Sequence, residues 1–172
     1  MKKQNPSFEE AMSAASLWCS AWEAGELSDE VLADRVSELL ETKNGARGFF
    51  VISLSSDSPL MDRFPDALMF QLRKAGKNIV DITAKNLAMS SAMELTHKRN
   101  KSPDQQVRSQ KIRRRCIELL RLLDTFSVKE RLEQLLCATQ GKGKDVDFLK
   151  RWEYDDEQKK AIARAINLVA EK

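Results

Sequence analysis

Few residues in this sequence are of the types that catalysis and metal binding usually need. His97 is the only histidine, and the three cysteines, Cys19, Cys116 and Cys137, are far apart and form no Cys-x-x-Cys pair. A zinc site, a thioredoxin-like redox motif and a histidine-dependent catalytic triad are therefore not indicated. Each cysteine lies in an apolar, helix-like stretch, so we expect buried, reduced thiols that behave as small apolar side chains.

Long apolar runs are also missing from the sequence. No uncharged stretch reaches the roughly 18 apolar residues that a membrane span requires. The polar residues 1–7 are not followed by the apolar core of a signal peptide. Because reduced thiols are typical of the cytosol, we predict a cytoplasmic protein without a membrane partner.

Two stretches rich in glycine, lysine and aspartate do not match known ligand motifs. Residues 140–144, Gln-Gly-Lys-Gly-Lys, lack the spacing of a phosphate-binding loop, and Asp145 stands where that loop needs a hydroxyl. The aspartates of residues 145–156 lack the spacing and the glycine of a calcium loop. We therefore predict a non-enzymatic protein with no catalytic residue, no cofactor and no metal. Two distant carboxylates that meet in the fold are the alternative that this prediction leaves open.

Helix-start and helix-stop signals recur along the chain. Residues 7–10 and 127–130 have the Ser-x-x-Glu pattern of a capping box, and the pair Asn44-Gly45 is typical of a helix end. No linker-like stretch and no internal repeat interrupts the pattern. The sequence therefore predicts one all-α domain over residues 1–172, a compact bundle of about seven or eight helices.

The segment Gly-Phe-Phe-Val-Ile-Ser-Leu, residues 48–54, is ambiguous. It could form a short extended strand near residues 49–54 or part of a buried helix, because both are short apolar runs. A strand needs a partner, and residues 79–82, the only other candidate, fit better inside a long helix. We therefore favour a helix for this segment.

Residues 79–96 form the predicted centre of the bundle. Leu87 and Ala88 lie on one side of this helix, and Met89 and Met93 lie on the opposite side. A helix that is apolar on two sides is usually buried between neighbours, so we expect both sides to be covered.

Charge is distributed unevenly along a chain whose net charge is only +3. Residues 1–42 contain three basic and nine acidic side chains, whereas residues 97–121 contain nine basic and two acidic ones. Such an asymmetry often marks an interaction surface. On a helical wheel the second block forms a cationic face opposite its leucines, and we predict that this exposed face binds a partner through Arg108, Lys111, Arg114, Arg115 and Arg121.

Two kinds of partner suit such a face. We favour an acidic protein, which would make the chain an adaptor or assembly domain, because clustered cations raise the local potential. Weak nucleic-acid binding by the same basic helix is the alternative, but the block has no interleaved aromatic residues and no helix-turn-helix pattern. The simplest interpretation is a solvated face that pairs with the acidic residues 1–42 of the same chain, which we predict to form a helical hairpin. No pattern in the sequence indicates an oligomeric state.

Four segments carry a resemblance to a protein family. They are residues 47–54 (Arg-Gly-Phe-Phe-Val-Ile-Ser-Leu), 59–63 (Pro-Leu-Met-Asp-Arg), 86–90 (Asn-Leu-Ala-Met-Ser) and 151–155 (Arg-Trp-Glu-Tyr-Asp). Together they resemble an uncharacterised family of helical proteins from cyanobacterial genomes, and the resemblance covers most of the chain. It implies a habitat and assigns no site residues.

Overall fold

The computed structural model describes residues 5–171, and α-helices are the only regular elements within that range. The predicted all-α fold is therefore confirmed. Eight of the ten helices have seven residues or more. The helices are α1 (Phe8–Glu23), α2 (Asp29–Leu40), α3 (Lys43–Ser55), α4 (Leu60–Arg63), α5 (Asp66–Ala75), α6 (Lys77–Arg99), α7 (Pro103–Leu122), α8 (Thr125–Thr139), α9 (Val146–Arg151) and α10 (Asp156–Ala170).

Capping side chains mark where helices α1 and α8 begin, and α8 begins earlier than the sequence predicts. At the start of α1 the Glu10 N–H donates to Ser7 Oγ at 3.1 Å, and the Ser7 N–H donates to Glu10 Oε1 at 3.0 Å. The second predicted capping box is wrong, because α8 begins at Thr125 and Asp124 accepts from the Ser127 N–H at 2.9 Å. Aspartate caps a helix as well as serine does, so α8 begins one turn earlier than predicted.

The ambiguous residues 49–54 lie inside α3, so the favoured helix is confirmed. Thr42 caps this helix by accepting from the Gly45 N–H at 3.0 Å. The pair Asn44-Gly45, predicted to end the preceding helix, therefore lies in the first turn of α3, and α2 ends at Leu40. A glycine at this position is typical of a helix end, but here its backbone is helical. The threonine cap before it starts the helix instead.

The structure divides into two compact units, and the boundary lies between Ile79 and Val80, within α6. In the first unit α1 packs on α3, and α2 packs on α3 and α5. In the second unit α7 and α8 pack on α10, and α9 packs on α8. The prediction that the chain forms a single domain stays a prediction.

Nowhere in the described chain is a helix both long and apolar enough to span a bilayer.

Small residues allow α1 and α3 to approach closely within the first unit. Ala11 and Ala15 of α1 are buried, and so is Gly48 of α3. A Cβ atom added to Gly48 would lie 2.5 Å from the Ala11 Cβ and 2.9 Å from the Met12 backbone nitrogen. Carbon atoms do not approach so closely without repulsion, so this contact requires glycine.

An ion network links three elements of the second unit. Arg131 of α8 donates to both carboxylate oxygens of Asp145, at 2.6 and 2.9 Å, and its Nε donates to Asp81 of α6 at 2.9 Å. The side chains of Arg131 and Asp145 are only 10% and 8% exposed, so this bidentate pair is almost fully removed from water. Partial burial raises the pKa of Asp81, but hydrogen bonds from Arg131 and Lys85 outweigh it and leave the pKa below its ordinary value.

We expect the substitution Gly48→Ala to destabilise the protein. The added Cβ would force α1 and α3 apart, and overpacking of this kind costs about 1–3 kcal/mol. The higher helix propensity of alanine offsets about 1 kcal/mol of that loss. Urea denaturation measures the difference, with the exposed Asn44→Ala in the same helix as control. A Gly48→Ala protein as stable as the wild type would contradict the close helix contact.

We expect Asp81→Asn to change how stability depends on acid. Because the pKa of Asp81 is lowered in the folded protein, its charge stabilises the fold above the pKa of the unfolded chain, about 3.9. This contribution disappears as pH falls through the lower folded-state pKa. The variant should be less stable than wild type at neutral pH, and the difference should shrink at about pH 3. Urea midpoints at both pH values test this. The exposed Asp147→Asn is the control, and a difference independent of pH would contradict the assignment.

Candidate functional site

The predicted partner-binding residues of α7 occupy two different environments. Arg108 and Arg114 are exposed, and Lys111 is half-buried. The prediction that Arg115 lies on the exposed face is wrong, since this residue is only 2% exposed. Arg115 stands four residues before the buried Leu119 and therefore faces the same side of the helix.

Arg121, the last of the five predicted residues, caps the end of α10. Its Nη2 donates to the Leu168 carbonyl at 2.5 Å, its Nε donates to the Val169 carbonyl at 3.3 Å, and Nη2 also donates to the Glu171 carbonyl. The last carbonyls of a helix have no partners within the helix and form the negative end of its dipole. We therefore assign Arg121 a structural role and do not retain it in the partner-binding set.

Glu94 holds the middle of α7 against α6. Its carboxylate accepts from Gln110 Nε2 at 3.0 Å and forms an ion pair with Arg113. The Glu94 side chain is 17% exposed, so its charge is largely shielded from solvent. Arg113, one of the nine basic residues of the block, is thus paired inside the second unit.

A groove of about 270 Å³ lies between α6 and α7. Every residue that lines it belongs to the second unit. One short connection makes this arrangement, because α6 ends at Arg99 and α7 begins at Pro103. The lining residues are Asn86, Met89, Ser90, Met93 and His97 of α6, and Gln105, Arg108, Ser109 and Ile112 of α7.

The groove combines apolar side chains with one cationic edge. Met89, Met93 and Ile112 are each half-buried, so part of each side chain faces the open groove. Arg108 is exposed at the edge, and none of the lining residues that the structure describes carries a carboxylate. Thioether side chains adapt to many shapes, and methionine is therefore common on surfaces that bind other proteins.

Helix α10 fixes the α6 wall of the groove. Gln158 Nε2 donates to the Ala92 carbonyl at 3.2 Å and to Thr96 Oγ1 at 2.8 Å. Arg99 donates to Asp155 at 2.6 Å, and this hydrogen bond, with one from the Gln158 backbone, lowers the pKa of Asp155. These contacts position the last two turns of α6, which carry two of the lining residues.

None of the three cysteines is among the residues that line this groove. Cys19 and Cys116 are buried, as expected, whereas the prediction is wrong for Cys137, which is exposed. Burial and, to a lesser extent, the charge of Glu23 raise the pKa of Cys19 to about 11, and burial also raises the pKa of Cys116. Within residues 5–171, no three histidine, cysteine, aspartate or glutamate residues come together in a way that could hold a metal ion.

One known family matches almost the entire chain. The sequence model of the family described as "Uncharacterised conserved protein UCP020893" matches residues 7–169. The chain belongs to this family. The resemblance to an uncharacterised family is thereby confirmed, and its cyanobacterial origin stays a prediction. No curated protein and no solved structure matches the chain.

Sequence reasoning did not identify the groove, although one signal for it was present. The side of α6 that carries Met89 and Met93 was predicted to be covered, but both residues are only half-buried. An apolar helix side that the fold leaves partly open becomes a groove wall. The position of Arg108 on α7 was identified from charge alone, and only the structure places it beside these methionines.

We expect Arg114→Glu and Arg115→Glu to affect folding very differently. Both reverse one charge on the same helix, but Arg114 is exposed and Arg115 is buried. A buried arginine replaced by glutamate should cost about 3 kcal/mol or more, because its interactions are lost and a new charge is buried. The exposed substitution should cost about 1 kcal/mol or less, as is usual for an exposed charged side chain. Thermal denaturation of the two variants measures this, and equal midpoints would contradict the burial of Arg115.

Proposed function

We propose that this chain is a non-enzymatic, cytoplasmic protein-interaction domain, an adaptor or assembly factor, that presents α7 to an acidic protein partner. The observation that carries the proposal is the position of Arg108, Lys111 and Arg114 along the accessible part of α7. These residues are three apart, so they follow one another at almost one helical turn. Clustered cations of this kind attract acidic surfaces and steer their approach.

The rigidity of α7 supports a binding role. Glu94 holds the middle of the helix, and Arg121 links its last turn to the end of α10. Because α7 is held at both places, its backbone is already ordered before a partner binds. Binding through its cations therefore costs little backbone entropy. Preorganised charges bind more tightly than charges on a mobile loop.

The distribution of arginines favours a protein over nucleic acid. With Arg115 buried and Arg121 bound to α10, three basic residues of the predicted set are retained on α7. Each neutralised phosphate on duplex DNA contributes a slope of about 0.9 in the dependence of log K on log salt. Three contacts correspond to weak binding at physiological salt. Residues 103–122 also contain no aromatic side chain on which a base could stack.

The test reverses the charges of the retained residues. We expect the triple variant Arg108→Glu, Lys111→Glu and Arg114→Glu to lose an acidic partner that wild-type protein recovers from the native cell. The affinity of the purified partner, measured by calorimetry, should fall by roughly 100-fold or more because attraction becomes repulsion. The control is Lys129→Glu, Lys150→Glu and Arg164→Glu, which makes the same change in net charge at exposed positions of α8, α9 and α10.

Two results would contradict the proposal. Equal loss of binding in both triple variants would mean that net charge, not the α7 surface, controls association. Tight binding to DNA or RNA in a mobility-shift titration, without a recovered acidic protein, would assign the same surface to nucleic acid. Circular dichroism confirms beforehand that both variants remain folded.

A further inference from the structure

The size and the chemistry of the groove between α6 and α7 indicate what kind of molecule it binds. Its volume of about 270 Å³ lies just below the roughly 300–1,000 Å³ of typical small-molecule sites. An open groove of this size can accept one or two apolar side chains of a larger molecule. A protein segment fits these dimensions better than a complete cofactor.

The apolar contacts available in the groove come from three half-buried residues. Met89 and Met93 lie one turn apart on α6, and Ile112 faces them from α7. A side chain inserted among them would be removed from water together with the exposed parts of all three residues. Such burial is the main favourable contribution at protein interfaces, and a single anchored side chain often supplies much of it.

The charges along the groove are complementary to an acidic ligand. Arg108 lines the groove itself, and Lys111 follows it by three residues on the accessible side of α7. Asp104, next to the lining residue Gln105, is exposed in the first turn of α7, whereas Glu94 of α6 is bonded to Gln110 and Arg113. The negative charge of Glu94 is therefore balanced and does not oppose an approaching carboxylate.

We propose that the groove binds an acidic segment of a partner protein by taking one large apolar side chain between Met89, Met93 and Ile112. Carboxylates that flank this side chain pair with Arg108 and Lys111. The polar lining residues Asn86 and Gln105 offer hydrogen bonds to the backbone of the segment. This inference rests on the proposed function and specifies the part of the partner that α7 recognises.

A random-peptide phage library, selected against the full chain, is the probe for this proposal. We expect the selected peptides to share a leucine, methionine or phenylalanine flanked by aspartate or glutamate. A synthetic, fluorescein-labelled copy of one selected peptide then gives dissociation constants by anisotropy. Ile112→Gln and Met89→Gln should each raise the dissociation constant of the peptide about tenfold, because a polar side chain replaces part of the apolar contact.

The matched control is Val107→Gln, which makes the same kind of change on α7 outside the groove lining. Val107 is 61% exposed, so its substitution should leave the affinity within about twofold of wild type. Two groove variants are used so that misfolding of one, seen by circular dichroism, leaves the other as a test. Arg108→Glu should also weaken binding of the peptide, whereas Arg164→Glu should leave its affinity unchanged.

Several outcomes would overturn the inference. Selected peptides without acidic residues, or equal affinity for wild-type and groove variants, would mean that the groove does not recognise such a segment. A dimer in sedimentation that Ile112→Gln dissociates would assign the groove to a second copy of the chain. If charge reversal abolishes partner binding while Ile112→Gln and Met89→Gln leave it unchanged, the proposed function stands and the groove inference fails. If charge reversal has no effect either, the proposed function itself fails.

Discussion

Helix α6 forms polar bonds to all three long helices of the second unit, and the position of the groove depends on these bonds. The bond to α8 lies in the second turn of α6, whereas the bonds to α7 and α10 lie within one turn of each other farther along the helix. A helix held through polar side chains need not cover the apolar surface beside them, and α7 leaves part of that surface open. The bonds join Asp81 to Arg131 of α8, Glu94 to Arg113 of α7, and the Ala92 carbonyl to Gln158 of α10.

The arginines of this unit show that formal charge describes a surface poorly until geometry is known. Arg131 is paired with a buried carboxylate, and Arg121 caps the carbonyls of α10. Arg115 is buried, whereas Arg108 and Arg114 are exposed. A guanidinium has five donors and a planar shape, so it can satisfy carboxylates and helix ends as readily as it can bind a partner. The cationic surface is consequently smaller than the net charge of the block indicates.

Local chemistry made much of the fold predictable. The capping box at Ser7 depends on neighbouring residues, and this prediction is confirmed. The helix over residues 49–54 is also confirmed, but it was favoured because the sequence offers no partner strand. The errors at helix boundaries arose where two local signals compete. Asp124 caps α8 ahead of Ser127, and Thr42 starts a helix at the Asn44-Gly45 pair that was predicted to be an end. In each case the helix begins at one capping side chain although a different signal lies within one turn of it.

The sequence by itself determined the all-α class, the two-sided apolar character of α6 and the presence of a basic block on α7, because periodicity and composition are local properties. Only the tertiary structure decided which of these features face solvent. Whether Arg115 is buried, whether Met89 and Met93 are covered and whether Arg108 lies beside them depend on residues far away in the chain. Helical periodicity places a side chain on one side of its own helix, but the neighbour that covers that side is selected by packing of the whole unit.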